Sequence, residues 1–197
     1  MRMAEIHFKH SLSFAAFSIF LIFYGSKIAV AGKSFPALGD PVTLSLRKEK
    51  FSHFRLYSHT KGGDPNPTIV QVGGANTTEN SVTRFGAIGV FDDPLTEGPE
   101  SSSKLLGRAQ GFKASAGIDE IAVLAIENFV FTTGKYNGST LGAMGRKTLL
   151  SEVREMPIVG GTGLLRFARG YVETRIHGFN ITAFEATFEY NIYVYHF

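Results

Sequence analysis

The chain has 197 residues, of which 44% are hydrophobic and 19% charged, and this composition is typical of one globular domain rather than a disordered or fibrous chain. Cysteine is absent, which excludes disulfides, thiol nucleophiles and cysteine-based zinc sites. The formal net charge is only +3, and no basic block or basic-aromatic stripe indicates a nucleic-acid surface. The six histidines lack the spacing of metal ligands, so we expect neither a metal nor another cofactor.

The N-terminal segment, residues 1–31, has the pattern of a cleaved secretory signal peptide. Arg2 and Lys9 flank an apolar run at 12–24, and Ala-Val-Ala at 29–31 is a small-x-small cleavage pattern. A membrane anchor is the alternative, but the run is shorter than the roughly 20 apolar residues that span a bilayer. We therefore expect a secreted, extracellular protein with no membrane contact after cleavage.

The remaining chain divides into an arm and one domain. Residues 32–50 are rich in Gly, Pro and polar side chains without periodicity, so we expect a mobile N-terminal arm. From 51 to 197 apolar residues alternate with a period of two, which predicts strands with one buried face. The predicted strands are 53–59, 68–72, 85–92, 105–114, 121–132, 139–145, 150–159, 165–175 and 184–194. In the last of them, every second residue from Phe184 to Val194 is apolar or aromatic.

Eight or nine short strands without helices predict an antiparallel sandwich or barrel. An eight-stranded antiparallel β-barrel is favoured, because closure removes exposed edges, and such a barrel is either filled or wide enough for one small ligand. Asn137-Gly138 predicts a hairpin with a type I′ turn. Asn-x-Ser/Thr triplets at Asn76, Asn137 and Asn180 predict N-glycosylation sites on the surface.

Six segments between residue 51 and the C-terminus resemble, in order and spacing, the motifs of the plant dirigent family. They are FDDPLTEGP at 91–99, GRAQGF at 107–112, NFVFT at 128–132, YNGSTL at 136–141, REMPIVGGTG at 154–163 and FARGY at 167–171. The resemblance implies an eight-stranded antiparallel barrel that associates as a trimer and is secreted to the apoplast.

The resemblance also implies an activity. Members of the family bind phenoxy radicals that an external laccase or peroxidase makes from monolignols such as coniferyl alcohol. They fix the face on which the radicals couple, which gives optically active lignans, and they have no oxidising power of their own. Some relatives instead act on quinone methides and close a ring with loss of water, as in pterocarpan formation.

The resemblance points to several candidate pocket residues. Arg154 matches the family's pocket arginine, whose guanidinium can hydrogen-bond a phenolic or carbonyl oxygen; the alternative is an ion pair with Glu152 or Glu155 on the strand surface. His59 resembles the histidine of a His-Asp pair at the end of the first strand, but Thr60 follows it here instead of Asp.

Two further candidates also depart from the family pattern. Lys147 stands seven residues before Arg154, where a second pocket aspartate is expected, and Lys113 stands where many members have tyrosine. The expected acid chemistry is therefore in doubt, because threonine has no titratable proton near neutral pH and lysine has the opposite charge.

Asp92 is the second catalytic candidate beside Arg154. With Asp93 it is predicted to lie in the loop after the third strand, directly before Pro94. The two can act as paired carboxylates that exchange protons at the cavity mouth. Alternatively, their side chains cap a turn.

Three functions follow from these patterns. The first is a non-oxidative, stereochemistry-directing auxiliary protein rather than an enzyme, with Arg154 as polar anchor. The second is a cyclase or dehydratase on quinone methides, in which Asp92 replaces the missing acids. The third is a secreted phenolic- or cell-wall-binding defence protein without chemistry, which is suggested by Thr60, Lys113 and Lys147 together.

Overall fold

Nine antiparallel strands account for most of the chain that the computed structural model describes, residues 48–63 and 65–197. They are β1 Lys50–Lys61, β2 Ile69–Gly73, β3 Ile88–Thr96, β4 Leu105–Ser115, β5 Ala122–Phe131, β6 Thr140–Thr148, β7 Arg154–Gly161, β8 Arg169–Asn180 and β9 Glu185–His196. One 3-10 turn, Gly163–Leu165, connects β7 to β8. The predicted all-β class is confirmed.

The predicted signal peptide, residues 1–31, lies outside the described residues, and so do residues 32–47 of the predicted arm. Strand β1 begins at Lys50, the last residue assigned to that arm. Within residues 48–63 and 65–197, no helix has the length and hydropathy to cross a bilayer.

The sheet closes on itself through a short pairing between β1 and β3. The strand order is β1-β9-β8-β7-β6-β5-β4-β3, and β1 pairs with β3 at Tyr57↔Thr96 and Ser58↔Leu95. Strand β2 pairs only with β3, starting at Ile69↔Phe91. The strands β1 and β2 thus lie one after the other along the same edge of β3. Strands β1 and β2 therefore share one of eight positions, and the predicted eight-stranded antiparallel barrel is confirmed.

One half of the barrel interior is a packed apolar core. Because side chains alternate between the two faces of a strand, every second residue points inward. The largest fully buried apolar side chains are Leu95, Phe129, Leu141, Met156, Leu165, Val172, Ile192 and Val194. Tyr190, Ile192 and Val194 of the predicted inner face of the last strand are buried, whereas Phe184 precedes β9 at φ 51° and is 66% exposed.

Two local predictions are wrong. Asp92 and Asp93 lie within β3, not in a loop after it, because the strand continues through Pro94 to Thr96. Pro94 is tolerated there since it lies just before the two residues that pair with β1, where the ladder on that side of β3 is interrupted. At Asn137-Gly138 only Gly138 has a positive φ, 82°, so the β5–β6 hairpin has a longer loop and not a type I′ turn, which needs positive φ at both residues.

The three sequon asparagines, Asn76, Asn137 and Asn180, are all exposed. Asn180 uses its side-chain oxygen locally, since it accepts bonds from the amides of Thr182 and Ala183 at 3.1 Å each. Glycosylation at these residues stays a prediction.

We predict that β4 requires glycine at Gly107, where its backbone lies against that of the neighbouring strand β5. A Cβ added at Gly107 would overlap the carbonyl of Val130, whereas one added at Gly178 in β8 would meet no atom within 4 Å. We expect Gly107→Ala to lower the free energy of unfolding by about 2–3 kcal/mol, because the two backbones must separate. Gly178→Ala is the matched control and should leave it unchanged or raise it by up to about 1 kcal/mol. Urea unfolding followed by circular dichroism measures both free energies, and equal effects would contradict a requirement for glycine at Gly107.

Candidate ligand cavity

Toward one end the interior opens to solvent through a cavity, and the empty space of the cavity and its open mouth together is about 490 Å³. Every strand contributes to its wall. Along β5, Val123, Ala125 and Glu127 line the cavity, while Phe129 and Phe131 belong to the core. The ring of Phe129 packs edge-on against Tyr190, with centroids 5.1 Å apart, so these two residues separate core from cavity.

The wall combines six apolar and eight polar residues. Its apolar residues are Ile69, Phe91, Val123, Ala125, Leu149 and Phe188. Its polar residues are Thr60, Asp93, Lys113, Glu127, Lys147, Arg154, Thr174 and Tyr190. A concave apolar site with a few converging polar groups is the usual form of a small-molecule site.

Asp93 of β3 is one of the two carboxylates that line the cavity. It is 4% exposed, and the hydroxyls of Thr60 and Thr68 donate to its two oxygens, the former at 2.5 Å. Burial raises the pKa of Asp93, which the two threonine bonds oppose. The group can therefore hold a proton at a higher pH than an ordinary aspartic acid.

A buried ion pair joins β5 to β6. The ammonium of Lys147 donates to Glu127 Oε1 at 2.6 Å, and the two side chains are 7% and 6% exposed. The other carboxylate oxygen, Glu127 Oε2, has no hydrogen-bond partner in the described part of the chain. Glu127 thus keeps one acceptor free beside the cavity.

Arg154 enters the cavity from the start of β7 and is 6% exposed. Its Nη2 donates to the carbonyl of Leu149 at 2.7 Å, and its buried Nε has no partner among residues 48–63 and 65–197. Burial lowers the pKa of Arg154, which Tyr190 opposes. The alternative ion pair with Glu152 is not formed, since Glu152 pairs with Arg175 at 3.3 Å.

Lys113 lines the cavity from β4. Burial lowers the pKa of Lys113, and the nearby carboxylate of Asp93 opposes this shift. No described carboxylate lies within 4.0 Å of its ammonium, in contrast to Lys147. Across the cavity, burial raises the pKa of Tyr190 well above its usual range, so its hydroxyl stays a donor.

Two predicted site residues lie outside the cavity. His59 and Thr60 point to opposite faces of β1, so Thr60 faces the interior while His59 lies in an outer groove, with its Nε2 2.7 Å from Thr96 Oγ1. Asp92 likewise points outward from β3, where it forms a half-exposed ion pair with Arg108. The structure thus brings together Thr60, Lys113, Lys147 and Arg154, but not His59 or Asp92.

Sequence reasoning missed Glu127 and Tyr190, and it favoured Asp92 over its neighbour Asp93. A usable signal existed for Glu127, which interrupts an otherwise apolar face of β5 between Ala125 and Phe129. A charged residue on a buried face is a candidate site. Within the described ranges, no three or more His, Asp or Glu side chains cluster as metal ligands would.

Comparisons with known proteins agree with this architecture. The family model described as "Dirigent-like protein" matches residues 51–195. Dirigent protein 21 of Arabidopsis thaliana is 47% identical over 150 residues, which cover 76% of this chain and 79% of the relative. Pterocarpan synthase 1 of Glycyrrhiza echinata is 42% identical over 159 residues, covering 80% and 85%. A solved structure of a pterocarpan synthase dirigent protein superposes with a TM-score of 0.71 at 42% identity, covering 77% of this chain and 87% of the other.

The fold and the cavity define a closed antiparallel barrel protein with a concave, charged site at one end. With the family model matching most of the chain, this protein belongs to the dirigent family.

The Lys147–Glu127 pair yields a test of the cavity's electrostatics. We expect Lys147→Met to lower the free energy of unfolding by about 3 kcal/mol, because it leaves a buried carboxylate uncompensated. The double variant Glu127→Gln/Lys147→Met should recover to within about 1 kcal/mol of the parent. Lys104→Met, which removes an exposed partner of Glu97, is the control and should cost under about 0.5 kcal/mol. Urea unfolding at pH 7 measures all three, and a double variant less stable than the single one would contradict the pairing.

Proposed function

We propose that this protein binds a phenolic intermediate in the barrel cavity and fixes the face on which it reacts, so that coupling of phenoxy radicals gives an optically active lignan. The observation that carries the proposal is the cavity itself. Its apolar wall can pack against an aromatic ring, and its unpartnered polar atoms on Arg154 and Glu127 can orient the ring's oxygens. Membership of the dirigent family supports the same activity.

Steering of this kind makes a modest energetic demand. Radicals couple without help over the barrier, so the protein need only hold the partners in one orientation. A tenfold preference for one hand corresponds to about 1.4 kcal/mol, which is the size of a single charge-assisted hydrogen bond. One well-placed guanidinium in the cavity wall is sufficient for that.

The proposal extends to partners and location. An external laccase or peroxidase supplies the radical, and the protein works in the apoplast as a secreted, glycosylated homo-oligomer, by resemblance a trimer. The exposed positions of Asn76, Asn137 and Asn180 support glycosylation. A leader-like sequence at residues 1–31 supports secretion.

Chiral chromatography of coupling products tests this function. When a laccase oxidises coniferyl alcohol, we expect enantiomeric excess only in the presence of the protein. Arg154→Ala should reduce the ratio of the two hands by about tenfold, because it removes a charged donor from the cavity. Arg154→Lys, which keeps the charge, should retain part of it.

The control is Arg175→Ala, which removes an arginine on the outer surface whose partner is the exposed Glu152. It should leave the enantiomeric excess unchanged. Racemic product from the folded parent protein with every monolignol tried would contradict the proposal.

A second candidate is ring closure on a quinone methide. Two observations favour it: the 42% identity to Pterocarpan synthase 1, and the buried Asp93 in the cavity. A protonated Asp93 can give its proton to a leaving hydroxyl while a phenol of the same ring loses its proton to solvent, so that water departs and a neutral quinone methide forms. A second phenolic hydroxyl of the same molecule then adds to the electrophilic carbon and closes the ring, its proton is released to solvent, the quinone-methide oxygen takes up a proton from solvent and becomes a phenol again, and solvent reprotonates Asp93. Asp93, not Asp92, is the acid on this account, because Asp92 points out of the barrel.

For this candidate, product should form from an isoflavanol precursor without any oxidant. Activity should fall about tenfold per pH unit above the raised pKa of Asp93, because the acid form is the active one. Asp93→Asn should abolish turnover, while Asp92→Asn on the outer face should preserve it. Activity that rises with pH, or that survives Asp93→Asn, would exclude Asp93 as the acid.

A further inference from the structure

The cavity carries an excess of positive charge. Three cationic side chains line it, from Lys113, Lys147 and Arg154, against the two carboxylates of Asp93 and Glu127. With every group in its ordinary charge state, the site has a net charge of +1. These residues come from five different strands, so the imbalance belongs to the site and not to one strand.

The pairing within this cluster is uneven. Lys147 and Glu127 neutralise one another at 2.6 Å. Asp93 is held by two threonine hydroxyls rather than by a cation. Lys113 and Arg154 therefore have no carboxylate within 4.0 Å in the described chain, although both line the cavity.

An uncompensated cation in a low-dielectric cavity is costly, and an anion that enters the site relieves that cost. Burial lowers the pKa of Lys113 more than the nearby carboxylate of Asp93 raises it, so that carboxylate compensates the ammonium only in part. The buried Nε of Arg154 has no acceptor and supplies a donor for such an anion.

The remaining unpartnered atoms restrict the ligand further. Glu127 Oε2 is a buried acceptor with no hydrogen-bond partner in the described chain, so it can accept from an O–H or N–H of a ligand. A single negative charge balances the site, whereas a phosphate group would overcompensate it. The apolar wall of Ile69, Phe91 and Phe188 suits an aromatic ring.

We propose that the preferred ligand of this cavity is a phenolic carboxylate of the hydroxycinnamate type, whose carboxylate is bound by Lys113 and Arg154. The inference rests on the proposed function, since it names the substrate class of the same site. Neutral phenolic alcohols are then weaker ligands of the same site.

Isothermal titration calorimetry at pH 7 with three probes tests the inference. Ferulate, methyl ferulate and coniferyl alcohol share one ring, but only ferulate carries a carboxylate, which is ionised at this pH. We expect ferulate to bind at least about tenfold more tightly than either neutral probe, as one buried charge-assisted contact predicts.

The preference for ferulate over the neutral probes should depend on Lys113. Lys113→Met should reduce the advantage of ferulate over methyl ferulate by about fivefold or more, and Lys113→Arg should keep it, because the charge remains. Lys104→Met, on the outer surface, is the matched control and should leave all three affinities unchanged. Circular dichroism confirms that each variant is folded.

Methyl ferulate binding as tightly as ferulate would overturn the inference, and so would an advantage that survives in folded Lys113→Met. If coniferyl alcohol binds and couples with handedness while ferulate gains nothing, the inference fails and the proposed function stands. If no probe binds the folded protein, both fail.

Discussion

Closure of the sheet between β1 and β3 is the constraint on which the rest of the molecule depends. It rests on only two residue pairs, Tyr57↔Thr96 and Ser58↔Leu95, whereas β1 and β9 pair over the full length of both strands. Beyond Ser58 the ladder passes from β1 to β2, and the chain between them leaves the barrel wall. Without this junction the sheet would have two long open edges, and the inward faces of nine strands would have no common interior.

The same junction determines where the site is. Thr60 and Thr68 lie on either side of the excursion, and both hydroxyls bond Asp93, so the polar end of the interior begins where β1 gives way to β2. The opposite half is sealed by Phe129, Leu141 and Val194. A barrel of this size is normally filled. Here the filling stops at Tyr190, and the unfilled half holds the charged groups.

Leaving those groups incompletely paired lowers the stability of the folded state. Four buried side-chain atoms lack a hydrogen-bond partner within the described chain: Ser58 Oγ, Glu127 Oε2, Arg154 Nε and Thr174 Oγ1. Each such atom costs about 1–3 kcal/mol, and native proteins contain few of them. Three of the four belong to residues that line the cavity, so the unpaired polarity is concentrated where a ligand can satisfy it.

Much of the fold follows from alternation in the sequence, and much of the site does not. The period of two predicts the strands and the inner face of β9, because one buried face is a local property of a strand. Local sequence signals gave the wrong structure at two places. Pro94, a residue typical of turns, lies inside β3, and Asn137, part of a hairpin-turn signal, lies in a longer loop. Which end of each strand lines the cavity depends on the stagger between neighbouring strands and on where the barrel closes. Lys147 and Glu127 are 20 residues apart in the chain and on neighbouring strands, and only the folded register brings them to 2.6 Å.

That register also changes the meaning of the departures from the family pattern. Thr60 stands where an aspartate is expected, but its hydroxyl bonds the carboxylate of Asp93. Lys147 stands where the second aspartate is expected, but its ammonium bonds the carboxylate of Glu127. Each missing acid is therefore next to a carboxylate supplied by another strand, so carboxylates remain at both places although their positions and partners differ. The substitutions that suggested a protein without chemistry therefore leave two carboxylates in the cavity, and they change which side chains those carboxylates bond.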